Sequence, residues 1–413
     1  MLSALLACGL GVAVQPIPQT TTRAASASAP AAPHVYSLRA DALQRAKMRV
    51  QSGDTRLRPA YERLVRDADA ALLVGPFSVM DKPRTAESGD KHDYVSMGPY
   101  WWPDPSKPGG LPYIRRDGER NPELADGYDA PRFGAMTGAV TTLALAYYFT
   151  DDERYAQRAA LLLRVWFLDP ATRMNPNLRY GQRIPGITAG RAAGVIETRR
   201  LVDVVDAIAM LEPSPGWTAE DTRGLRAWMA EYLRWLLTSE IGREEQRAKN
   251  NHGSWYDAQV VALALFTGDT GLARATLEES KTRRIAAQIA PDGKQPYELA
   301  RTRSLGYSLM NLEGLCRLAE LGRQVGLDLW SYASPKGASI RKALDYVAPY
   351  ADATRPWPRP QITPNTPDGF VLLLERARIV YGDAYEDVLR KIPGDLVLSH
   401  RAQLLYPDPH AAP

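Results

Sequence analysis

The chain has 413 residues, 45% hydrophobic and 24% charged, the balance of a folded globular protein rather than a disordered, collagen-like or multi-span membrane chain. Its 51 Lys+Arg against 47 Asp+Glu leave a net charge of +4, too weak to imply a nucleic-acid partner unless concentrated in a groove. Two cysteines, Cys8 and Cys316, exclude a disulfide framework and a cysteine-built zinc site, and only five histidines (His34, His92, His252, His400 and His410) are available for chemistry.

The chain opens with a short apolar run, Leu2–Val14, followed by a Thr/Ala/Ser/Pro-rich stretch to Pro33. The run is shorter than the roughly 20 apolar residues a membrane span needs, and it resembles a signal-peptide core without the usual basic flank. Residues 1–33 therefore read as a leader and linker, and the expected location is periplasmic or secreted. Leu5-Leu6-Ala7-Cys8 also fits a lipoprotein processing box. Residues 34–413 are expected to form one catalytic domain.

From Tyr36 to about Leu405 the pattern is helix after helix. Lys91–Arg132 interrupts it, rich in Pro, Gly, Tyr, Trp and Asp; so long a segment without periodicity reads as a functional loop. Met136, Val140, Leu143, Ala144 and Tyr147 then recur at helical spacing up to Thr150. Thr150 with Glu153 forms a capping-box pattern ahead of Tyr155, Ala159, Leu162, Leu163 and Trp166. A second irregular stretch, Asn175–Arg191, precedes a helix over Arg199–Leu211. Thr218 and Asp221 repeat the capping signature before Leu225, Trp228, Met229, Tyr232 and Leu236. Helical runs follow over Asp257–Phe266, Leu272–Ile289, Ser304–Gly322, Ser339–Tyr350 and Gly369–Tyr381. Tight turns such as Thr267-Gly268-Asp269 join them, and no convincing alternating strand intervenes. The expectation is an all-α chain of antiparallel helix pairs, closed into an (α/α) toroid rather than an open solenoid, because no strict short repeat is present.

Chemistry concentrates in a few places. Lys249-Asn250-Asn251-His252-Gly253-Ser254-Trp255-Tyr256-Asp257 sets a histidine among amides and an indole, just ahead of the helix expected from Asp257. A lone histidine is more often structural than catalytic, so this segment counts only with others. Glu298, Arg301, Arg303 and Tyr307 form a second cluster; on a helix Arg303 and Tyr307 share a face. Its plain alternative is an exposed basic helix end with a packed tyrosine. The aromatics of Pro99-Tyr100-Trp101-Trp102-Pro103 either plug one end of the toroid or stack against sugar rings. Tyr, His, Asn and Arg without an obvious carboxylate pair suit elimination at a uronic acid. Arg and Asn neutralise the carboxylate and the developing enolate, while His and Tyr exchange protons. No HExxH, GxSxG or P-loop is present, and no metal or cofactor is expected.

These segments are familiar as a series. His92-Asp93-Tyr94 to Tyr100-Trp101-Trp102-Pro103-Asp104-Pro105, Tyr113-Ile114-Arg115-Arg116-Asp117-Gly118, Asn121-Pro122, Gly190-Arg191 with Glu197, Asn250-Asn251-His252-Gly253 and Arg301 to Tyr307 resemble the alginate lyase superfamily. The resemblance covers roughly residues 36–390 and is greatest to polysaccharide lyase family 38, more distantly to family 5. It implies an (α/α) toroid and β-elimination on alginate or, in some relatives, glucuronan. By motif it implies Tyr307 as proton donor to O4 and as base in syn elimination. His252 would be the base for the opposite C5 configuration, and Asn251 and Arg301 the carboxylate neutralisers, with Arg303 competing for that role. Tyr100, Trp101, Trp102, Arg191, Trp255, Arg303 and Glu298 would contact substrate. The expected partner is an anionic polysaccharide substrate, alginate or glucuronan, bound by a monomeric enzyme, with no nucleic acid and no membrane span. Two other readings remain open at this point: a toroidal glycoside hydrolase using Glu298 with Asp257, and a non-catalytic polyuronate-binding protein.

Overall fold

The structure, a computed structural model, describes residues 32–408 apart from 126 and 365. The expected leader, with Cys8, lies outside the described residues except for its last two positions, and so does His410. Helices run in the order α1 (Ala40–Gln51), α2 (Arg58–Ala71), α3 (Asp129–Thr150), α4 (Glu153–Leu163), α5 (Leu201–Leu211), α6 (Ala219–Thr238) and α7 (Glu240–Gln246). They continue as α8 (Asn251–Thr267), α9 (Thr270–Ser280), α10 (Pro296–Leu299), α11 (Ser304–Gly322), α12 (Ile340–Val347) and α13 (Asp368–Tyr381). Three short helices end the chain: α14 (Glu386–Leu389), α15 (Gly394–Ser399) and α16 (Ala402–Leu405).

The inner helices α3, α5, α8 and α11 pack side by side, and α8 is buried continuously from Gly253 to Phe266. A helix apolar all round has no solvent face and must lie inside. The outer helices are one-sided: α4 buries Tyr155, Ala159, Leu162 and Leu163 against α3, and α6 buries Leu225, Trp228, Met229, Tyr232 and Leu236 against α8. Among the described residues the first and last helices meet, α1 packing on α16 and α2 on α15, and this closes the ring. The result is the expected (α/α) toroid. Among the described residues no helix is long and apolar enough to cross a membrane.

Local boundaries differ in instructive ways. Thr218 and Asp221 do form a reciprocal capping box on α6. Thr150 does not cap α4: it ends α3, its hydroxyl bonded to Ala146 O, and Asp152 accepts the Arg154 N–H instead. Asp151 adopts φ 57°, and this left-handed turn ends α3 and leaves Asp152 in position to cap. The helix expected over Leu272–Ile289 changes at Ser280 into a π-helical segment, Lys281–Ala286, whose wider turn carries Arg284 into the core. The helix expected from Asp257 starts at Asn251, placing His252 in its first turn.

Four short strands also appear where none was expected. β1 (Val95–Met97) pairs in parallel with β4 (Tyr180–Arg183), and β2 (Trp101–Trp102) pairs antiparallel with β3 (Ile114–Arg115). They are too short to show alternation, yet they hold the Pro- and aromatic-rich loops. A separate small core of Ala86, Val95, Met97, Leu124, Tyr128 and Tyr180 lies beneath them. The loops are therefore a packed layer rather than a loose cover.

Candidate active site

The β2–β3 hairpin presents its aromatics in fixed orientations. Trp101 pairs with Arg115 and Trp102 with Ile114 across the hairpin. The Trp102 indole donates to Glu119 O at 3.0 Å, and the Arg116 guanidinium lies 5.2 Å from its ring. The Arg191 guanidinium stands 6.0 Å from the Trp101 ring and donates to Gln182 Oε1 at 2.6 Å. Gln182 holds φ at 49°, an uncommon conformation for a residue with a side chain, and is fixed by the Ser96 hydroxyl at 2.7 Å. Glu197, half-buried alongside, accepts from Tyr94 Oη at 2.8 Å and Ser96 Oγ at 2.6 Å. Gly98 is required here, since a Cβ would come within 2.6 Å of the Trp101 ring.

Tyr307 projects from the first turn of α11. Its hydroxyl donates to Tyr100 Oη at 2.5 Å and accepts from Arg301 Nη2 at 3.0 Å, with the guanidinium 4.0 Å from the ring centroid. Arg301 is itself held by Asp117: Nε at 3.1 Å and Nη2 at 2.7 Å grip the carboxylate, and the Thr302 amide adds a third donor at 3.2 Å. Burial acts to raise the Asp117 carboxyl, but the Arg301 and Thr302 donors outweigh it and hold it well below the usual carboxylate range. Burial, reinforced by the Tyr100 hydrogen bond and opposed by the Arg301 charge, pushes the Tyr307 hydroxyl above the usual phenol range. Tyr307 thus keeps its proton at neutral pH, as a proton donor must.

His252 Nδ1 lies 2.6 Å from Glu245 Oε1, which comes from α7. The imidazole side chain is 21% exposed, the Glu245 side chain 4%. Asn251 is fully buried; its backbone N–H donates to Glu298 Oε1 at 2.6 Å and its Nδ2 to Oε2 at 2.8 Å. Asn251 Oδ1 is buried without a hydrogen-bond partner. Burial raises the Glu298 carboxyl against those two donors, and the charges of both His252 and Arg301 act on it.

The structure brings together Tyr100, Arg301 and Tyr307, and separately Asn251 with Glu298 and His252 with Glu245; Arg191 pairs with the Trp101 ring and Arg116 with the Trp102 ring. It withdraws two expected substrate contacts. Trp255 is 4% exposed, donates to Met310 O at 3.0 Å, and packs between α8 and α11. Glu298 is 1% exposed and committed to Asn251. Trp255 faces inward on α8, and Glu298, on the short α10, is turned inward by the two donors of Asn251; both outcomes override the polar neighbourhood in sequence. Asp257 is likewise inside, clamped by Arg284 at 2.8 Å and Arg283 at 3.0 Å, so Asp257 and Glu298 form no open carboxylate pair. Arg303, half-buried at the start of α11, makes no side-chain hydrogen bond or ion pair to any described residue. Two contributors escaped the residue-by-residue reading, Glu245 and Asp117. Asp117 stood within a recognised motif, but nothing in the order of residues tells that it grips Arg301, 184 positions away.

A family model described as alginate lyase matches residues 78–357. Among solved structures, an alginate lyase from Bacteroides ovatus is 44% identical, with a TM-score of 0.86, covering 91% of this chain and 99% of that one. Alginate lyase A1-III from Sphingomonas species A1 is 20% identical, with a TM-score of 0.57 and coverage of 89% and 95%. A histidine-to-alanine variant of A1-III complexed with tetrasaccharide is 19% identical, with a TM-score of 0.61 and coverage of 92% and 98%. A search of curated protein sequences returned no match.

Proposed function

The chain belongs to the alginate lyase family and is an enzyme of the polysaccharide lyase type, and on that premise we propose that it cleaves an acidic β-1,4-linked polyuronate, alginate foremost, by β-elimination. The base removes the C5 proton, the C5–H electrons form the C4=C5 double bond, and the C4–O4 bond breaks with its electrons leaving on O4. Tyr307 gives its hydroxyl proton to O4, and in syn elimination the same oxygen takes up the C5 proton as it does so, ending protonated. His252 is the base when the C5 proton lies on the other face. Arg303 and Arg301 offset the charge of the carboxylate as the enolate develops. Asn251 aids them through its placement by Glu298. Tyr100, Trp101, Trp102 and Arg191 bind the neighbouring sugars, by stacking and by pairing with carboxylates.

One observation carries this reading: a half-buried tyrosine hydroxyl, proton retained, between a second phenol and a guanidinium. The hydrolase reading loses its support with Asp257 and Glu298 both closed in. Glucuronan, which shares the carboxylate and the linkage, fits the same machinery. The ordered motifs resemble polysaccharide lyase family 38 more than family 5, and the apolar run Leu2–Val14 supports export to the periplasm or beyond, with Cys8 as a lipidation site.

Ultraviolet absorbance of unsaturated ends, measured on polymannuronate, polyguluronate and glucuronan, tests the reaction and ranks the substrates. Tyr307→Phe is expected to lower turnover roughly 10²- to 10⁴-fold while binding persists. Absence of unsaturated product from all three polymers, or a folded Tyr307→Phe protein with normal turnover, refutes the proposal.

A further inference from the structure

We infer that Glu245 is the positioning residue of His252, holding the imidazole as the Nδ1–H tautomer so that the Nε2 lone pair is free toward substrate. The inference rests on the role proposed above for His252 but draws on separate observations. Glu245 is 3% exposed and its Oε1 stands 2.6 Å from His252 Nδ1. A carboxylate only accepts, so Nδ1 must be the donor in that bond. Nε2 has no protein partner among the described residues, and the ring keeps partial exposure. A neutral histidine without such a partner favours the Nε2–H tautomer; a buried acceptor at Nδ1 reverses that preference.

The pair is built in advance by the fold. Glu245 and His252 lie on different helices, α7 and α8, joined by a short turn. Arg284, 1% exposed, pins that turn from inside, with Nη1 on Ala248 O at 2.8 Å and Nη2 on Gln246 O at 2.7 Å. Its Nε and Nη2 grip Asp257 of α8 at 2.8 and 3.0 Å, tying the turn to the helix that carries His252. Gly253 makes this approach possible: a Cβ there would sit 2.2 Å from Ala248 O and 2.4 Å from Arg284 Nη1. A buried arginine, a buried aspartate and a glycine thus serve one geometry, the seating of the histidine against the glutamate.

The test uses the full chain labelled with 15N-histidine. With five histidines in the chain, comparison with His252→Ala identifies the His252 signals. Near pH 9, where an ordinary imidazole is neutral, the wild type is expected to show a protonated Nδ1 and a bare Nε2. Glu245→Leu is expected to reverse them, and Glu245→Gln, whose amide oxygen still accepts, to restore the wild-type pattern. Turnover should follow: on the polymer for which His252→Ala costs most, Glu245→Leu lowers kcat roughly 10- to 100-fold with KM within about twofold. An Nε2–H tautomer in the wild type, or an unchanged tautomer in Glu245→Leu, overturns the inference. The wild-type spectrum alone decides the matter should the leucine variant not fold. If no polyuronate yields unsaturated product, the proposed function falls while the tautomer still judges Glu245.

Discussion

At the scale of single residues, the site separates arginines by what already holds them. Arg301 spends its guanidinium on Asp117 and on the Tyr307 hydroxyl, so its main effect falls on the tyrosine. The Arg303 guanidinium has no hydrogen-bond or ion-pair partner among the described residues and is the better candidate to meet a uronate carboxylate. A charge-assisted hydrogen bond of this kind contributes about 1.5–3 kcal/mol. Arg303→Ala is accordingly expected to raise KM at least tenfold with a smaller change in kcat, and to weaken the salt dependence of KM. Steady-state kinetics at two ionic strengths checks this; an unchanged KM would return the carboxylate to Arg301.

Among the elements, α6 shows how a helix end can carry a pH-dependent share of stability. Thr218 caps the helix and Asp221 reaches back to the Thr218 N–H at 2.8 Å, while Arg164, just beyond α4, grips the same carboxylate at 2.7 Å. Burial acts to raise Asp221, but the Arg164 and Thr218 donors bring it down to about 2 from 3.8. A carboxyl depressed in the folded state stabilises above its unfolded value and loses that contribution as pH falls from about 4 to about 2. Asp221→Asn should therefore lower Tm at neutral pH, by roughly the 1 kcal/mol typical of a lost cap, and the gap to wild type should narrow toward pH 2–3. Thermal unfolding across that range decides it; a gap that widens in acid contradicts the assignment.

Across the whole molecule, the segment before α1 stitches the ring together. Asp206 on α5 accepts the Tyr36 N–H at 2.5 Å and the Ser37 hydroxyl at 2.6 Å, and Arg317 on α11 donates to the same hydroxyl at 2.8 Å. Burial pushes the Asp206 carboxyl up to about 6 despite these donors, and does the same for Asp129 beside Lys82. Here the sign is opposite to that of Asp221. Folded protein holds these protons where the unfolded chain has released them, so their contribution to stability falls as pH rises from about 4 to about 6. The Tm advantage of wild type over Asp206→Asn is expected to shrink over that interval. An advantage that grows with pH would show that Asp206 enters the fold as a stabilised carboxylate.

How much of this was legible depends on the range of each interaction. Helical periodicity, the α6 capping box and the apolar all-round inner helices are local, and the order of residues alone determined an all-α chain of paired helices. The ordered motifs, too, pointed to the family and to Tyr307, His252, Asn251 and Arg301. Thr150 misled because a left-handed Asp151 intervenes, and the strands escaped because runs of two to four residues show no alternation. Only tertiary structure decided that Trp255 and Glu298 turn inward, that Asp257 belongs to Arg284, and that Asp117 claims Arg301. It alone set Glu245 against His252. Each of these outcomes is a competition for buried charge or buried volume between segments far apart in the chain, or on separate helices, and no local pattern carries the result.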